Sequence, residues 1–176
     1  EVIYVRGNHD EKYLQFYHQF SKRIRNGEKP PRRLCQGWLG PDGQSTISKL
    51  KSRDWRLLLE TPLSFQTGNL TVLHGGLSSK IHCKPKHLLD SKSFTSKRRA
   101  EIKSLMYIRK LHKDGSVPNQ NETRGLVPWQ DLYDGRFGWV VYGHQPTSHV
   151  LHRGQTIGID TACCYGNRLT ALVQEP

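Results

Sequence analysis

Short apolar runs that end in polar, glycine-containing turns are the dominant pattern of this 176-residue chain. Three such runs, at 2–5, 70–73 and 139–142, each lead within a few residues to a histidine close to glycine. Runs of this length that contain β-branched residues predict buried strands. An amphipathic helix is expected behind the first run and is expected to stop at Asn26-Gly27, because apolar residues recur there at helical spacing. These apolar residues are Tyr13, Leu14, Tyr17, Phe20 and Ile24.

The rest of the pattern predicts a mixed α/β fold. Short helices are expected at 45–51 and 54–60, and a β-hairpin at 63–73. Near the end of the chain, three runs at 149–152, 156–160 and 169–173 predict a meander. Residues 78–103 are polar and basic with little periodicity, which indicates a long loop or an insertion. One domain covering residues 1–176 accounts for this pattern.

Charge is the feature of the composition that bears most on function. The formal net charge is +12, which favours polyanionic partners such as nucleic acid, polyphosphate, nucleotides or an anionic membrane face. Part of this charge lies in three basic clusters, at 22–25, 32–33 and 97–99. The mean hydropathy is −0.69 and no apolar run is long enough to span a membrane, so a soluble, polar protein is expected. These features leave the compartment unknown, and an intracellular, cytoplasmic one is favoured.

The cysteines and the first residue add two further expectations. The four cysteines show no Cys-x-x-Cys spacing, which argues against a zinc ribbon and favours mostly buried thiols in a reducing compartment. The chain begins without Met and inside the first predicted strand, which predicts that it is a fragment of a longer protein.

Three polar residues follow the three predicted strands: Asn8, His74 and His144. Ligand sites of open α/β sheets lie at the carboxyl ends of strands, so we expect these side chains to converge. Amide and imidazole ligands suit Mn, Fe, Zn or Co without choosing among them. His9 is next to a proposed ligand, and its unperturbed pKa makes it a candidate general acid. The pattern therefore points to a metal-dependent phosphoester hydrolase.

The ordered motifs Gly7-Asn8-His9-Asp10, His74-Gly75-Gly76 and Gly143-His144 resemble the second half of the calcineurin-like metallophosphoesterase superfamily. Within it, the chain is most similar to the ApaH-like group of bacterial symmetrical bis(5′-nucleosyl)-tetraphosphatases, which is allied to the serine/threonine phosphatases. Tyr107-Ile108-Arg109 and the Gly158–Thr161 segment also fit this group.

The resemblance implies an α/β fold of two packed sheets flanked by helices. It also implies a dinuclear metal centre at which an activated water attacks phosphorus in line. Asn8, His74 and His144 would ligate one metal, and His9 would protonate the leaving group. Arg109, together with Asn8, would bind a substrate phosphate. Asp160 is expected to tie the turn at Thr161 by hydrogen bonds rather than to act in catalysis.

The chain departs from the family pattern at its first two motifs. It contains no Gly-Asp dipeptide and no Asp-x-His sequence, and in the family these supply the other metal's ligands and the bridging carboxylate. We therefore expect this chain to lack the N-terminal strands, to represent only one of two divalent metal sites, and to be inactive alone.

Several substrates and one different class of function stay open. The substrate would be a dinucleoside polyphosphate, an inorganic polyphosphate, an RNA cap or a phosphoprotein. The alternative is a non-catalytic basic module that binds RNA or polyphosphate, with tryptophans as stacking surfaces. These are Trp38, Trp55, Trp129 and Trp139, although their contexts are more typical of core positions. A cysteine-based phosphatase built on Cys163 or Cys164 would require an arginine-bearing phosphate loop after the thiolate, and that loop is missing.

Overall fold

The computed structural model describes residues 2–28, 31–81, 105–119 and 121–174. The chain divides into two compact units. One is helical and comprises Arg6–Thr61; the other contains the sheet and comprises Glu1–Val5 with Pro62–Pro176. Each unit has its own cluster of buried apolar side chains.

The helical unit contains α1 (Asn8–Arg25), α2 (Arg32–Leu39), α3 (Gly43–Lys49) and α4 (Ser52–Glu60). Helix α1 begins where the Asp10 carboxylate accepts a hydrogen bond of 2.8 Å from the Gly7 N–H, which satisfies one of the donors that helices leave unpaired at their start. It ends at Asn26, and Gly27 follows with a φ of +74°, as the sequence predicted.

Helix α2 was not predicted, because its eight residues lie between proline- and glycine-rich stretches that are typical of loops. Its Cys35 nevertheless packs into the core of the helical unit together with Phe16, Ile47 and Trp55. Tyr17 stacks on Trp55 with the ring centroids 4.6 Å apart. This core explains why the apolar positions of α1 recur at helical spacing.

The sheet unit contains a five-stranded sheet in the order β1-β2-β5-β7-β6. Strands β2 (Leu70–Leu73), β5 (Trp139–Tyr142) and β7 (Thr156–Gly158) are parallel neighbours. The outer strands β1 (Ser64–Thr67) and β6 (Leu151–Arg153) pair with them antiparallel. A separate two-stranded ribbon joins β3 (Lys110–Leu111) to β4 (Val127–Pro128), and two 3₁₀ helices cover Trp129–Leu132 and Cys163–Tyr165.

Apolar residues from strands and connecting segments pack together in the core of the sheet unit. They are Leu63, Leu73, Leu77, Ile81, Leu105, Met106, Ile108, Leu111, Trp129, Phe137, Val140 and Tyr142. The predicted hairpin at 63–73 and the strand at 137–142 are confirmed, with small differences in their bounds. A mixed α/β structure is thus present, and the two-sheet sandwich stays a prediction.

Two predicted strands are wrong. Residues 2–5 are not in a strand, and the side chains of Val2 and Tyr4 are 75% and 63% exposed. A strand requires a hydrogen-bonding partner, and no pairing to residues 2–5 occurs within the described residues. Residues 169–173 are likewise not in a strand, since none of them pairs with a strand within the described residues.

Two further expectations concern the cysteines and the basic stretch. Cys35 is buried as expected, but Cys163 and Cys164 are exposed on their 3₁₀ turn, so the prediction of mostly buried thiols is wrong for them. Cys83 and most of the predicted loop at 78–103 lie outside the described residues; residues 78–81 form no helix or strand. Within the described part of the chain, no helix combines the length and apolarity that crossing a bilayer requires.

Candidate metal and phosphate site

Three parallel strands end side by side at one edge of the five-stranded sheet. Leu73, Tyr142 and Gly158 are in register across β2, β5 and β7. The next residues continue this alignment, because the Gly143 N–H donates to the His74 carbonyl at 3.0 Å. His74, His144 and Asp160 therefore follow neighbouring strands at the edge where open α/β sheets keep their ligand sites.

The two histidines predicted as metal ligands lie next to each other. The His74 and His144 ring centroids are 5.0 Å apart, with 54° between the ring planes, and both residues are half-buried. Two imidazoles on one tetrahedral ion, with metal–nitrogen bonds of about 2.0–2.1 Å, have ring centres roughly 5 Å apart. The spacing of this pair therefore fits a shared divalent ion.

His144 adopts a backbone conformation that is uncommon for a residue with a side chain. Its φ is +64°, in the left-handed region, which costs about 1–2 kcal/mol relative to ordinary backbone conformations. Such strain concentrates at binding and catalytic sites, where the surrounding structure holds it in place. The left-handed turn aims the imidazole at His74 instead of continuing β5.

The surroundings of His144 favour its neutral form. Burial, the neighbouring His74 and the positive charge of Arg109 lower the pKa of His144 to about 4, against the opposing effects of a backbone hydrogen bond at Tyr107 and the charge of Asp160. A histidine binds a metal ion through a nitrogen that carries no proton. At neutral pH, His144 therefore has a nitrogen available as a ligand.

Close packing, and not a left-handed backbone, accounts for two of the glycines beside the histidines, Gly75 and Gly76. Gly75, Gly76 and Gly143 all have φ outside the left-handed region, so a left-handed backbone does not account for glycine at these positions. A Cβ on Gly75 would lie 2.7 Å from the Leu105 carbonyl oxygen, and one on Gly76 would lie 2.6 Å from the Trp129 indole nitrogen. The turn after β2 is thus packed against backbone and a buried ring.

Arg109 reaches the same edge from the segment before β3. The Gln145 side chain, one residue after His144, donates to the Arg109 carbonyl at 3.3 Å. Gln145 is itself hydrogen-bonded to Gln130. The Gln130 side-chain nitrogen donates one hydrogen bond of 3.2 Å to the Gln145 side-chain oxygen and another of 2.6 Å to the buried Tyr142 hydroxyl. The Arg109 side chain is exposed, so its guanidinium is available to an anion near the histidine pair.

Asp160 performs the structural role expected of it. Its carboxylate accepts a hydrogen bond of 3.1 Å from the N–H of Ala162, which has a φ of +60°. The Asp160 carbonyl also accepts from the Thr147 N–H at 3.0 Å. The residue ties the turn after β7, and its negative charge acts on His144 from there.

Asn8 and His9 belong to the helical unit and are the first two residues of α1. Asn8 is buried and His9 is exposed. Their convergence with His74 and His144 stays a prediction. Among the described residues, no group of three or more His, Cys, Asp or Glu side chains is arranged to hold a metal ion.

The tryptophans do not form the surface that nucleic-acid stacking would need. Trp129 and Trp55 are 0% and 4% exposed and belong to separate cores. Trp139 is half-buried, with the ring of His152 stacked on it at 5.6 Å. Trp38 is 45% exposed, and a lone ring is a weak basis for an RNA-binding face.

Sequence reasoning missed the contribution of Tyr107 and Gln145. The Tyr107 ring lies 6.2 Å from the ring of His144, and Gln145 holds the backbone of Arg109. Gln145 directly follows His144, and Tyr107 lies two residues before Arg109; this proximity in sequence was the available signal. Their positions depend on contacts between segments far apart in the chain.

Comparison with known proteins places this chain beside named hydrolases at low identity. A protein from Anoxybacillus flavithermus, named bis(5′-nucleosyl)-tetraphosphatase PrpE [asymmetrical], is 24% identical over 98% of this chain and 62% of its own length. The proteins of the same name from Bacillus velezensis and Bacillus subtilis are each 27% identical over 96% of this chain, and over 60% and 62% of their own lengths. No protein-family model matches the chain.

A solved structure shares the fold. A crystal structure described as that of a candidate diadenosine tetraphosphatase aligns with a TM-score of 0.61 and 19% identity, over 95% of this chain and 61% of the other. The chain spans roughly three-fifths of the length of the curated relatives it matches, 60% and 62% in the cases above. The names of these relatives carry the asymmetrical designation, whereas the motifs were compared with the symmetrical group.

Proposed function

We propose that this chain is part of a metal-dependent hydrolase of phosphoanhydride or phosphoester bonds, with dinucleoside polyphosphates as its substrates. The observation that carries the proposal is the meeting of His74 and His144 at 5.0 Å, at the ends of adjacent parallel strands. The names of the relatives, bis(5′-nucleosyl)-tetraphosphatase, support this substrate class. The net charge of +12 favours a polyanionic substrate.

His74 and His144 would hold a divalent ion of the Mn, Fe, Zn or Co type, with the Asn8 amide as a third ligand. A bound ion of this kind polarises phosphoryl oxygens and lowers the pKa of water. A second ion would complete a dinuclear centre like that of the metallophosphoesterases that the motifs resemble. Asn8, His74 and His144 would not supply the ligands of this second ion.

The remaining roles belong to Arg109 and His9. The Arg109 guanidinium would bind a phosphate of the substrate through paired N–H donors, for which its planar shape is suited. His9, exposed on the first turn of α1, would donate a proton to the leaving oxygen. Burial, His74 and, after them, the positive charge of Arg109 lower the pKa of His144, so the charge that would bind a phosphate also favours the neutral form of His144 that binds a metal.

Hydrolysis and metal binding test the proposal together. The protein produced from its complete gene is incubated with diadenosine tetraphosphate and Mn²⁺, and the products are separated by ion-exchange chromatography. ATP with AMP is expected for asymmetrical cleavage, whereas two ADP would indicate symmetrical cleavage. Titration calorimetry with Mn²⁺ gives a second readout that is independent of turnover.

His144→Ala is expected to weaken Mn²⁺ binding by at least tenfold and to abolish cleavage. His149→Ala removes an exposed histidine and serves as the matched control, with binding and cleavage retained. Absence of both Mn²⁺ binding and hydrolysis in the unsubstituted protein would contradict the proposal. Salt-sensitive RNA binding without turnover would instead favour the non-catalytic basic module.

A further inference from the structure

His144 lies at the centre of a tight and strained turn. The Gln145 N–H donates to the Gly143 carbonyl at 2.8 Å, and the φ of His144 between them is +64°. A hydrogen bond that closes three residues around a positive φ defines a γ-turn of the rare, strained kind. Strained backbone of this kind persists only where surrounding contacts fix it, so contacts from other segments must hold the turn.

Gln130 contacts the residues on both sides of this turn. Its side-chain nitrogen donates a hydrogen bond of 2.6 Å to the hydroxyl of Tyr142, the last residue of β5, and one of 3.2 Å to the side-chain oxygen of Gln145. Tyr142 lies two residues before His144, and Gln145 lies one residue after it. One amide on the 3₁₀ helix Trp129–Leu132 therefore joins the two flanks of the turn.

The same contacts hold the backbone of Arg109. Its carbonyl accepts one hydrogen bond of 3.3 Å from the Gln145 side-chain nitrogen and another of 3.4 Å from the Trp129 N–H. Gln145 thus uses its side-chain oxygen towards Gln130 and its side-chain nitrogen towards Arg109. These bonds fix the backbone of the expected phosphate-binding residue, Arg109, relative to that of the expected metal ligand, His144.

Stability alone does not account for an amide at position 130. Gln130 is 5% exposed, and its side-chain oxygen is buried without a hydrogen-bond partner in the described part of the chain. A buried carbonyl without a partner costs free energy of folding. An apolar side chain of the same length, such as methionine, would avoid this cost. The two hydrogen bonds that Gln130 donates are therefore the feature that explains its presence.

We propose that Gln130 and Gln145 are positioning residues of the candidate metal and phosphate site. Gln130 holds the two flanks of the His144 turn. Gln145 ties that turn to the Arg109 backbone. Both act through His144 and Arg109 rather than by touching the ion or the substrate. This inference rests on the proposed hydrolase function and adds the residues that keep a metal ligand and a phosphate-binding residue in a fixed relation.

A double substitution, Gln130→Met with Tyr142→Phe, separates positioning from stability in the protein produced from its complete gene. Replacing both partners of a buried hydrogen bond by apolar groups of similar shape is nearly neutral for folding, so the midpoint of urea denaturation should change little. The dissociation constant of Mn²⁺, measured by calorimetry, is expected to rise roughly tenfold, because the turn is no longer held. Unchanged Mn²⁺ affinity would overturn the proposal.

Thr156→Val is the matched control. Thr156 is 0% exposed, and its hydroxyl donates to the Arg153 carbonyl at 2.7 Å. It is the first residue of β7 and lies at the end of this strand opposite to the site. The control should lose stability and keep its affinity for Mn²⁺. A similar loss of affinity in Thr156→Val would mean that any weakening of the sheet unit disturbs the site, which would also overturn the proposal.

Gln145→Met tests the tie to Arg109. At saturating Mn²⁺, the KM for diadenosine tetraphosphate is expected to rise roughly tenfold, with the urea midpoint retained because Gln145 is only half-buried. Adding Gln145→Met to the double substitution should raise the Mn²⁺ dissociation constant no further than the more damaging of the two alone, since both break the same hydrogen bond. Effects that multiply would contradict a shared network.

Amide exchange in the metal-free protein separates this inference from the proposed function. The Gln145 N–H closes the His144 turn, and NMR should show it exchanging roughly tenfold faster in the double substitution, while the β5 amides keep their rates. If the unsubstituted protein neither binds Mn²⁺ nor hydrolyses diadenosine tetraphosphate, the hydrolase proposal fails, and the faster exchange still supports the hold on the turn. If it does both and the substituted proteins match it, the positioning roles fail and the hydrolase stands.

Discussion

The turns after β2 and β5 both present a histidine beside glycine, but they do so by different physical means. After β2, two glycines follow the histidine, and the space where their Cβ atoms would lie is filled by the Leu105–Met106 backbone and the Trp129 ring. After β5, a glycine precedes the histidine, and a Cβ on it would meet the His74 carbonyl oxygen at an ordinary 3.6 Å. In that turn His144 itself carries the left-handed backbone, with a φ of +64°.

This difference teaches that a repeated sequence pattern need not have one structural cause. Glycine after β2 is a packing requirement, since any side chain there would collide with buried neighbours. The turn after β5 is strained at His144 itself. A residue selected for stability alone would not adopt this left-handed backbone conformation. Four substitutions separate these two causes.

The largest effect is expected for Gly76→Ala. A Cβ would lie 2.6 Å from the indole nitrogen of Trp129, which is 0% exposed, so the ring or the strand end must move. Overpacking of this kind should lower the free energy of unfolding by about 3 kcal/mol, measured by urea denaturation. Gly37→Ala is the control, because a Cβ there meets no atom within 4 Å and alanine is the better helix former. Equal stability of Gly76→Ala and the unsubstituted protein would contradict close packing at this turn.

The next largest effect is expected from two separate variants, His74→Gly and His144→Gly. Each substitution removes an imidazole, but only His144→Gly relieves a left-handed residue. His144→Gly should therefore be more stable than His74→Gly by about 1 kcal/mol, while both lose affinity for Mn²⁺. Thermal unfolding and calorimetric Mn²⁺ titration measure the two properties, and equal unfolding free energies would argue against strain at His144.

A third prediction concerns the protonation of His144 in the metal-free protein. Arg109→Ala should raise the pKa of His144 above its value of about 4, because it removes one of the positive charges that lower it. A histidine pKa below the unfolded value of about 6.5 means that folding favours the neutral ring, so this stabilisation is complete above pH 6.5 and declines as the pH falls towards 4. NMR titration of the imidazole carbons measures the pKa. Arg168→Ala, at an exposed arginine, should leave it unchanged.

The smallest effect is expected for Gly143→Ala. The φ of Gly143 is outside the left-handed region, and an added Cβ would lie at an ordinary van der Waals distance from its nearest neighbour, the His74 carbonyl oxygen. The free energy of unfolding should change by no more than about 0.5 kcal/mol. A loss comparable to that of Gly76→Ala would mean that both turns depend on glycine for the same reason.

Local patterns in the sequence were sufficient for several elements. Apolar residues at helical spacing predicted α1, and the Asn26-Gly27 stop matches its observed end. The β2 and β5 runs predicted strands that lead directly to His74 and His144. In each case the signal lies within a few residues, because helix periodicity and strand length are local properties.

The failed predictions depended on partners that a local pattern does not contain. Residues 2–5 have the composition of a strand, but a strand forms only where another strand accepts its hydrogen bonds, and the exposure of Val2 and Tyr4 shows side chains that no core covers. Helix α2 was missed for the converse reason. Its sequence gives only a weak helical signal, and its burial comes from the contact of Cys35 with Phe16, Ile47 and Trp55.

The sequence by itself determined that histidines follow two apolar strands, that the chain is strongly basic, and that its motifs resemble those of metallophosphoesterases. Only the tertiary structure decided that β2 and β5 are adjacent and parallel, which brings His74 and His144 to 5.0 Å and places Tyr107 beside them. The physical reason is that strand order and register arise from contacts between segments some 70 residues apart. A residue's own neighbours in sequence carry no record of those contacts.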